Sequence, residues 1–442
     1  MDRIEASNAA YALHCEASEL RAAGKNEEAA GKWAACVEAV PDEPVYLREY
    51  ADCLARLQRW EFDLHYASLA AALEPGNAEA WALMGAACGH LGRQEEAKRY
   101  YDRADALAPN SPSVLWNRSL YYLLHGDYER GWRDYEWRFL TSQRRRTLKP
   151  MWDGTPIPGR TLFVWAEQGL GDTIHFARFL RRAKERSGAR IVFEVQRDLV
   201  GLMHGSRKRT HGGPLARNTG GTGPRNHGSF EIDADEIVAQ ATGGSIALDD
   251  FEHVSLMSLP YVLGIHQESE FWDGAYIGAE AAELPEPKPG GFKVGVCWQG
   301  STNNGCDSVR SIAQEEFWDQ VIGGRVEVNW YGISPAVQLP DSPNCVNPSL
   351  VSFVDTARAI GGLDLVITVD TSVAHLAGAM GKAVWILLRY ATDWRWCLRH
   401  ESMSPWYPSA RLFRQGSYGE GWGEVLRQVD VALSEMAGKE KG

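Results

Sequence analysis

WALMGAACGHLGRQEEAKRYYDRADALAP, residues 81–109, decides the first part of the fold. Trp81, Met84, Gly85, Ala97, Tyr101 and Ala104 fall where two antiparallel helices would pack, and Pro109 closes the unit. A step of about 34 residues back meets the same pattern in Leu47, Tyr50, Ala51, Ala67, Ala70 and Pro75, and a second such step meets Leu13, Ala17, Ala29, Trp33 and Pro41. A fourth copy from about Pro112 keeps Leu115, Ser119, Gly126 and Tyr135 but lacks the proline, as a terminal unit that merges into the next domain would. Small residues let the helices of each hairpin approach closely, and large ones fill the neighbouring groove. This is a stack of helical hairpins, expected over residues 1–140.

A fixed period of about 34 residues with this pattern resembles tetratricopeptide (TPR) repeats. Such hairpins stack into an α-solenoid whose concave face offers a groove for a protein or peptide, although the array can also be a purely structural cap.

Beyond the basic joint at 144–146 and a Pro/Gly-rich stretch at 152–159 the pattern changes. The apolar run TLFVWA (161–166) is followed by the turn EQGLGD (167–172), a helical stretch TIHFARFLRRAKE from Thr173, and a second apolar run ARIVFEV (189–195). A strand, a glycine turn, a helix and a strand make the unit of a parallel sheet. A second series holds KVGVCWQG (293–300), VEVNWYGI (326–333), LDLVITVD (363–370), TSVAHLAGAMG (371–381) and AVWILL (383–388). The expected architecture is therefore α + α/β: the solenoid at 1–140, one Rossmann-like lobe at 150–290 and another at 291–440, with the Pro-rich linker ELPEPKPGG (283–291) between the lobes. Within the first lobe, residues 204–229 are irregular. The core of that segment, GSRKRTHGGPLARNTGGTGPRNHG (205–228), has neither strand nor helix pattern and reads as a loop or an aberrant stretch that puts the first lobe's activity in question.

Composition sets the limits. In 442 residues, 44% hydrophobic and 24% charged with 17 Trp, there is material for several buried cores. A net charge of −12 argues against nucleic acid as a partner, because phosphate backbones are held by clustered Lys and Arg. The eight cysteines have no CxxC spacing and suggest buried thiols rather than a zinc site. Acidic residues in MDRIEASNAA, where a secretory signal would be apolar, and the lack of any apolar window of membrane-span length lead to the expectation of a cytoplasmic protein with no membrane span.

Chemistry is expected at VDTSVAH (369–375). There a strand ends and a helix rich in small residues begins, so free amides and the positive end of the helix dipole favour a pyrophosphate, with Thr371 and Ser372 hydroxyls adding bonds. The alternative is ordinary capping by Asp370 or Thr371, with His375 packed on the sheet. No GKS or GKT phosphate loop is present.

The set AEQGLGD (166–172), GVCWQG (295–300), VDTSVAHLAGAMGKAVWILL (369–388), DWRW (393–396) and SPWYPSARLF (404–413) resembles the repeat-bearing bacterial glycosyltransferases related to the lipopolysaccharide heptosyltransferases. These have the GT-B fold, a facing pair of Rossmann-type lobes, and are distantly similar in layout to the eukaryotic O-GlcNAc transferases. The resemblance implies a metal-independent transferase that moves a sugar from a nucleotide-sugar, used as substrate with no further cofactor, to a protein or peptide acceptor held by the repeats. A lipid-linked glycan or polysaccharide acceptor, and a non-catalytic scaffold with a degenerate nucleotide-binding half, are the alternatives. It makes Asp370, Thr371, Ser372 and His375 donor-site residues, with Ser372 standing where heptosyltransferases usually have glycine. Asp172 becomes the candidate general base and Glu167 its rival, needed because a hydroxyl acceptor is a poor nucleophile until its proton is removed. Asp172 could instead cap the helix from Thr173. Gln299, Asn303, Arg310, Asp393, Trp394 and Arg395 form a second tier: Arg310 could neutralise the leaving diphosphate or be a solvated loop residue, and Trp394 and Trp396 could line the donor pocket or anchor a core. The Asp233-Ala234-Asp235 pair, with no phosphate turn around it, reads as incidental rather than metal-binding. The repeats and the nucleotide half are expected to be separable in function.

Overall fold

A computed structural model describes residues 3–141, 149–206, 232–241, 250–300 and 307–439. The basic joint at 144–146, Asn303 and nearly all of the irregular segment at 205–228 lie outside them.

Eight helices come first: α1 (Arg3–Ala22), α2 (Asn26–Ala39), α3 (Pro44–Arg56), α4 (Trp60–Leu73), α5 (Ala78–His90), α6 (Gln94–Leu107), α7 (Pro112–Leu124) and α8 (Tyr128–Tyr135). α3, α5 and α7 begin at 44, 78 and 112, and α2, α4, α6 and α8 at 26, 60, 94 and 128, so both series advance by one constant step. The sequence period is thus the period of the backbone. Ala17, Ala29, Trp33, Ala51, Ala67, Ala97 and Ala104 are fully buried at the packing positions, and the Tyr101 ring lies 3.1 Å from where a Cβ on Gly85 would stand. The turn inside each hairpin needs one left-handed residue. Gly24, Gly92 and Gly126 supply three, and Gln58 stands at the fourth with φ +58°. A side chain is strained there, and Gln58 is held from outside the repeats: its side-chain oxygen accepts from Arg389 and its carbonyl from the Tyr418 hydroxyl at 3.3 Å.

The rest of the described chain is α/β. In order it runs β1 (Thr161–Trp165), α9 (Leu170–Phe176), α10 (Leu180–Ser187), β2 (Arg190–Val195), α11 (Val200–Gly205), β3 (Glu236–Ala239), β4 (Phe251–Ser255) and α12 (Leu259–Leu263). After the linker come β5 (Phe292–Cys297), α13 (Asp307–Arg310), α14 (Gln314–Phe317), β6 (Val328–Gly332), β7 (Cys345–Val346), α15 (Phe353–Gly361), β8 (Leu365–Val369), α16 (Ser372–Ala379), β9 (Val384–Leu388), β10 (Ala410–Arg414) and α17 (Gly423–Lys439). Among the described residues two sheets result, in the orders β3-β2-β1-β4 and β10-β9-β8-β5-β6-β7, and the named strands all pair in parallel. Such sheets are covered on both faces, which is why their strands read as continuous apolar runs. The linker between them is pinned by buried Asn329, whose amide accepts from Lys288 N–H and donates to the Lys288 carbonyl. No helix of the described residues is long and apolar enough to cross a membrane.

The repeats are not an appendage: their last hairpin is packed into the α/β region. Leu123, Tyr128, Trp132 and Tyr135 belong to the same continuous core as both sheets. Trp132 meets Phe176, Trp394 and Trp406 edge-on at 6.1, 5.4 and 6.4 Å. Beyond α8 a short 3-10 turn, Glu136–Leu140, buries Arg138 completely. Its guanidinium bonds both oxygens of Glu167, at 2.7 and 2.9 Å, and the Ser258 hydroxyl at 2.8 Å. A buried ion pair is expensive to break from one side, because the remaining charge is left without a partner. Arg138→Ala is therefore expected to lower unfolding free energy by about 3–5 kcal/mol. The joint change Arg138→Met with Glu167→Leu should recover only part of that, because Glu136, 2.7 Å from the same guanidinium, still loses its partner. Urea denaturation of the three chains checks both. A chain begun near residue 150 should fail to melt cooperatively, since it lacks both Arg138 and the Trp132 ring.

Candidate functional site

The site is built where strands end. In open parallel sheets, ligands sit outside the carboxyl ends of the strands, at the point where strand order reverses. In the larger sheet that point lies between β5 and β8, and the residues just past those strands, Gln299 with Gly300 and Asp370 with Thr371, line one cleft of about 950 Å³. Ser334 and Pro335 follow β6 into it, and Asp393 and Arg395 follow β9. The first sheet supplies the opposite wall through the turn after β1, Gln168 to Asp172. One hollow thus unites the glycine turn of the first lobe with the strand ends of the second.

Two helices define its floor. α9 and α16 pack together, and Gly171 makes this possible: a Cβ there would stand 2.9 Å from the His375 ring and 3.5 Å from Ser372 Cα. The turn that delivers α9 is itself strained, with Gln168 at φ +64°. Its amide donates to the Tyr135 hydroxyl at 3.0 Å, tying the turn to the last repeat. Left-handed backbone at a non-glycine residue persists only where the surroundings over-determine it.

Asp172 is not the N-cap of a helix from Thr173. The helix starts at Leu170, Gly169 caps it, and Asp172 sits in the first turn with one carboxylate oxygen accepting from Gly169 N–H at 2.8 Å. Its other oxygen meets Arg395 at 2.5 Å. Arg395 also binds Asp393 at 2.8 Å and lies over the Trp394 ring at 4.1 Å, so one guanidinium joins two acids of opposite walls. Burial pushes the Asp172 carboxyl above the usual range, and Arg395 pulls it down without cancelling the rise. Arg395 was only in the second tier of sequence candidates. Here it is the hub, and a lone arginine in a Trp-rich loop carries no sequence signal of that role.

On the second lobe, Thr371 caps α16, its hydroxyl accepting from Val373 N–H at 3.2 Å and sharing a bond with Thr368. Ser372, the first helical residue, remains half-exposed on the cleft wall. Arg310 reaches from α13 to the Asp370 carbonyl at 3.1 Å and to Asp307 at 3.1 Å. It crosses Gly300 so closely that a Cβ there would collide with its guanidinium. His375 is buried and stacks on Trp396 with ring centroids 5.3 Å apart. Its Nδ1 and that of His175 both bond the Tyr407 hydroxyl, at 3.0 and 2.9 Å. Sequence reasoning missed His175 and Tyr407, since each is separated in the chain from the group it serves.

Two sequence candidates leave the site. Glu167 is turned away from the cleft into the Arg138, Ser255 and Ser258 network, so it is a structural anion and not a rival base. Trp394 is buried between the repeats and the lobes, against Trp132, Tyr135 and Phe176, and anchors a core instead of lining the cleft. Asp233 and Asp235 both pair with Lys184, at 3.3 and 2.8 Å, and Asp235 accepts from Ile191 N–H, away from any cleft lining.

A second cavity, about 330 Å³, lies on the face formed by α3, α5 and α7. Leu83, Gly85, Gly89, Trp116 and Leu120 line it, and Arg389, Thr392 and Asp393 from the loop after β9 close its far side. The repeat face is thus partly roofed by the second lobe. Asp393 lines both cavities, so they are neighbours.

No protein-family model matches the chain. It is 26% identical over 369 residues to Protein FlbA of Caulobacter vibrioides, a match covering 75% of this chain and 57% of that protein, so the chain spans little more than half the length of that relative. Among solved structures it is similar to the first TPR of Spaghetti (RPAP3) bound to an HSP90 peptide, at 30% identity over 24% of this chain and 86% of that one, with a TM-score of 0.24. A thermophilic TPR protein of Thermus thermophilus matches at 16% identity over 30% of this chain and 75% of that one, with a TM-score of 0.28.

The acids of the cleft make its stability depend on pH. Burial, then the neighbouring charge of Asp393, pushes Asp370 up to about 6. A carboxyl raised in the folded state binds its proton before the unfolded chain does, so stability falls as pH rises from about 4 through 6. Asp370→Asn should therefore melt above the parent at pH 7.5 and lose that advantage near pH 4. Thermal melts across the range check it. The eight helices, repeating at one constant step, join a parallel-sheet α/β region: a TPR-like array fused to two open sheets with one cleft between them.

Proposed function

We propose that the chain is a glycosyltransferase of the two-lobed GT-B type, moving a sugar from a nucleotide-sugar to an acceptor, with the repeat array engaging a protein acceptor. The observation that carries this reading is the single cleft in which Asp172 of one sheet faces Ser372, Arg310 and His375 of the other across the switch point. A diphosphate at the start of α16 would meet the free amide end of a helix, the Ser372 hydroxyl and the Arg310 guanidinium. The acceptor hydroxyl, on the α9 side, attacks the anomeric carbon. Its proton passes to Asp172 while the bond from that carbon to the diphosphate oxygen breaks, and the electron pair leaves with the nucleotide. Burial raises the Asp172 carboxyl in the direction a general base requires. Arg395 holds its orientation and opposes the charge of Asp393.

A scaffold reading is favoured by one feature, the second cavity on the repeat face, whose apolar lining suits a peptide side chain. The two readings part on turnover.

Incubation with a panel of nucleotide sugars, scored by released nucleotide, tests the proposal. Turnover with at least one donor is expected, persisting in excess EDTA because Asp233 and Asp235 are committed to Lys184. Asp172→Asn should lower turnover about a hundredfold while donor affinity changes far less. Binding of nucleotides without turnover by any donor would leave the scaffold.

A further inference from the structure

Tyr407 is fully buried, and its hydroxyl lies between two imidazoles whose ring centroids are 5.0 Å apart. Gly378 leaves room for its ring, since a Cβ there would come within 2.5 Å of it. Both histidines approach through Nδ1, at 2.9 Å from His175 and 3.0 Å from His375. Tyr276 and Arg178 also neighbour the Tyr407 hydroxyl. The Tyr276 oxygen, however, already accepts from Arg178 at 3.0 Å, and its proton goes to the His175 carbonyl at 3.2 Å. The single Tyr407 proton is therefore assigned to one ring, and the oxygen accepts from the other. Burial, with Arg178 beside His175 and Arg395 near His375, drives both imidazoles well below their ordinary range and keeps them neutral. Each ring therefore carries one proton, and the two tautomers are opposite.

Which ring has which tautomer follows from the far nitrogens. His175 Nε2 is buried with no partner among the described residues. An orphaned buried N–H is rarer than an orphaned acceptor. Placing the His175 proton on Nδ1, donated to the Tyr407 oxygen, avoids it. The Tyr407 proton then points at His375 Nδ1, and the His375 proton must sit on Nε2. That side of the ring faces Gly171, with Nε2 3.7 Å from where a Cβ there would stand, and the residue lines the cleft.

We infer that Tyr407 and His175 are positioning residues that lock His375 as an Nε2–H donor facing the cleft, not as a base. A donor at that place takes an anionic oxygen. That this oxygen belongs to a donor diphosphate rests on the glycosyltransferase reading.

Long-range proton–nitrogen NMR of the full chain, with His375 assigned through His375→Gln, separates protonated from bare ring nitrogens. The expected spectrum has His375 protonated at Nε2 and His175 at Nδ1, both neutral at pH 7. In Tyr407→Phe, which keeps the ring, the His375 Nδ1–H form should appear, and inorganic pyrophosphate should bind about tenfold more weakly, the worth of one hydrogen bond to a charged group. A bare Nε2 on His375 in the parent, or a charged ring there, overturns the inference without needing any variant to fold. If the tautomers are as stated but neither pyrophosphate nor any nucleoside diphosphate moves the His375 Nε2 resonance, the lock stands and the donor-site reading falls.

Discussion

Everything in the cleft depends on how closely α9 and α16 approach, and that is set by the bare α-carbon of Gly171 against His375 and Ser372. Any side chain at this point would push the two helices apart. The separation would carry Asp172 away from Arg395 and His175 away from the hydroxyl it shares with His375. A contact between two backbones thus sets the distance between acid, arginine and histidines contributed by different sheets.

The repeats take part in the same arrangement. Tyr135 holds the strained Gln168, Trp132 supports Phe176 and Trp394, and Arg138 neutralises Glu167 one residue before the turn. In the second lobe, Arg389 and Tyr418 grip Gln58, the one hairpin turn without glycine. The array is therefore a third wall of the molecule, and its last hairpin helps set the cleft's geometry.

The periodic parts of this structure were legible in the sequence because period is a local property. The constant repeat step gives the hairpins, and continuous apolar runs give the buried parallel strands, so Thr161–Trp165 and Leu365–Val369 fall where they were expected. The start of α16 was legible because capping follows from local backbone: Thr371 caps it, as one of the two readings of that stretch expected. The site was not legible where a charge's partner is distant. Glu167 beside a glycine turn looks catalytic until Arg138, 29 residues earlier, takes both its oxygens. Trp394 looks like a pocket wall until Trp132 packs against it, and Arg395 gains its role only from Asp172, 223 residues away.

The proposed nucleotide site lies between the two sheets and draws on residues of both. Hydrogen exchange with and without nucleoside diphosphates measures this directly. Amides of 168–176, 370–379 and 393–397 are predicted to slow in concert on binding, with α3, α5 and α7 little changed. Protection confined to those repeat helices, or to the residues of one sheet alone, would contradict a shared nucleotide site.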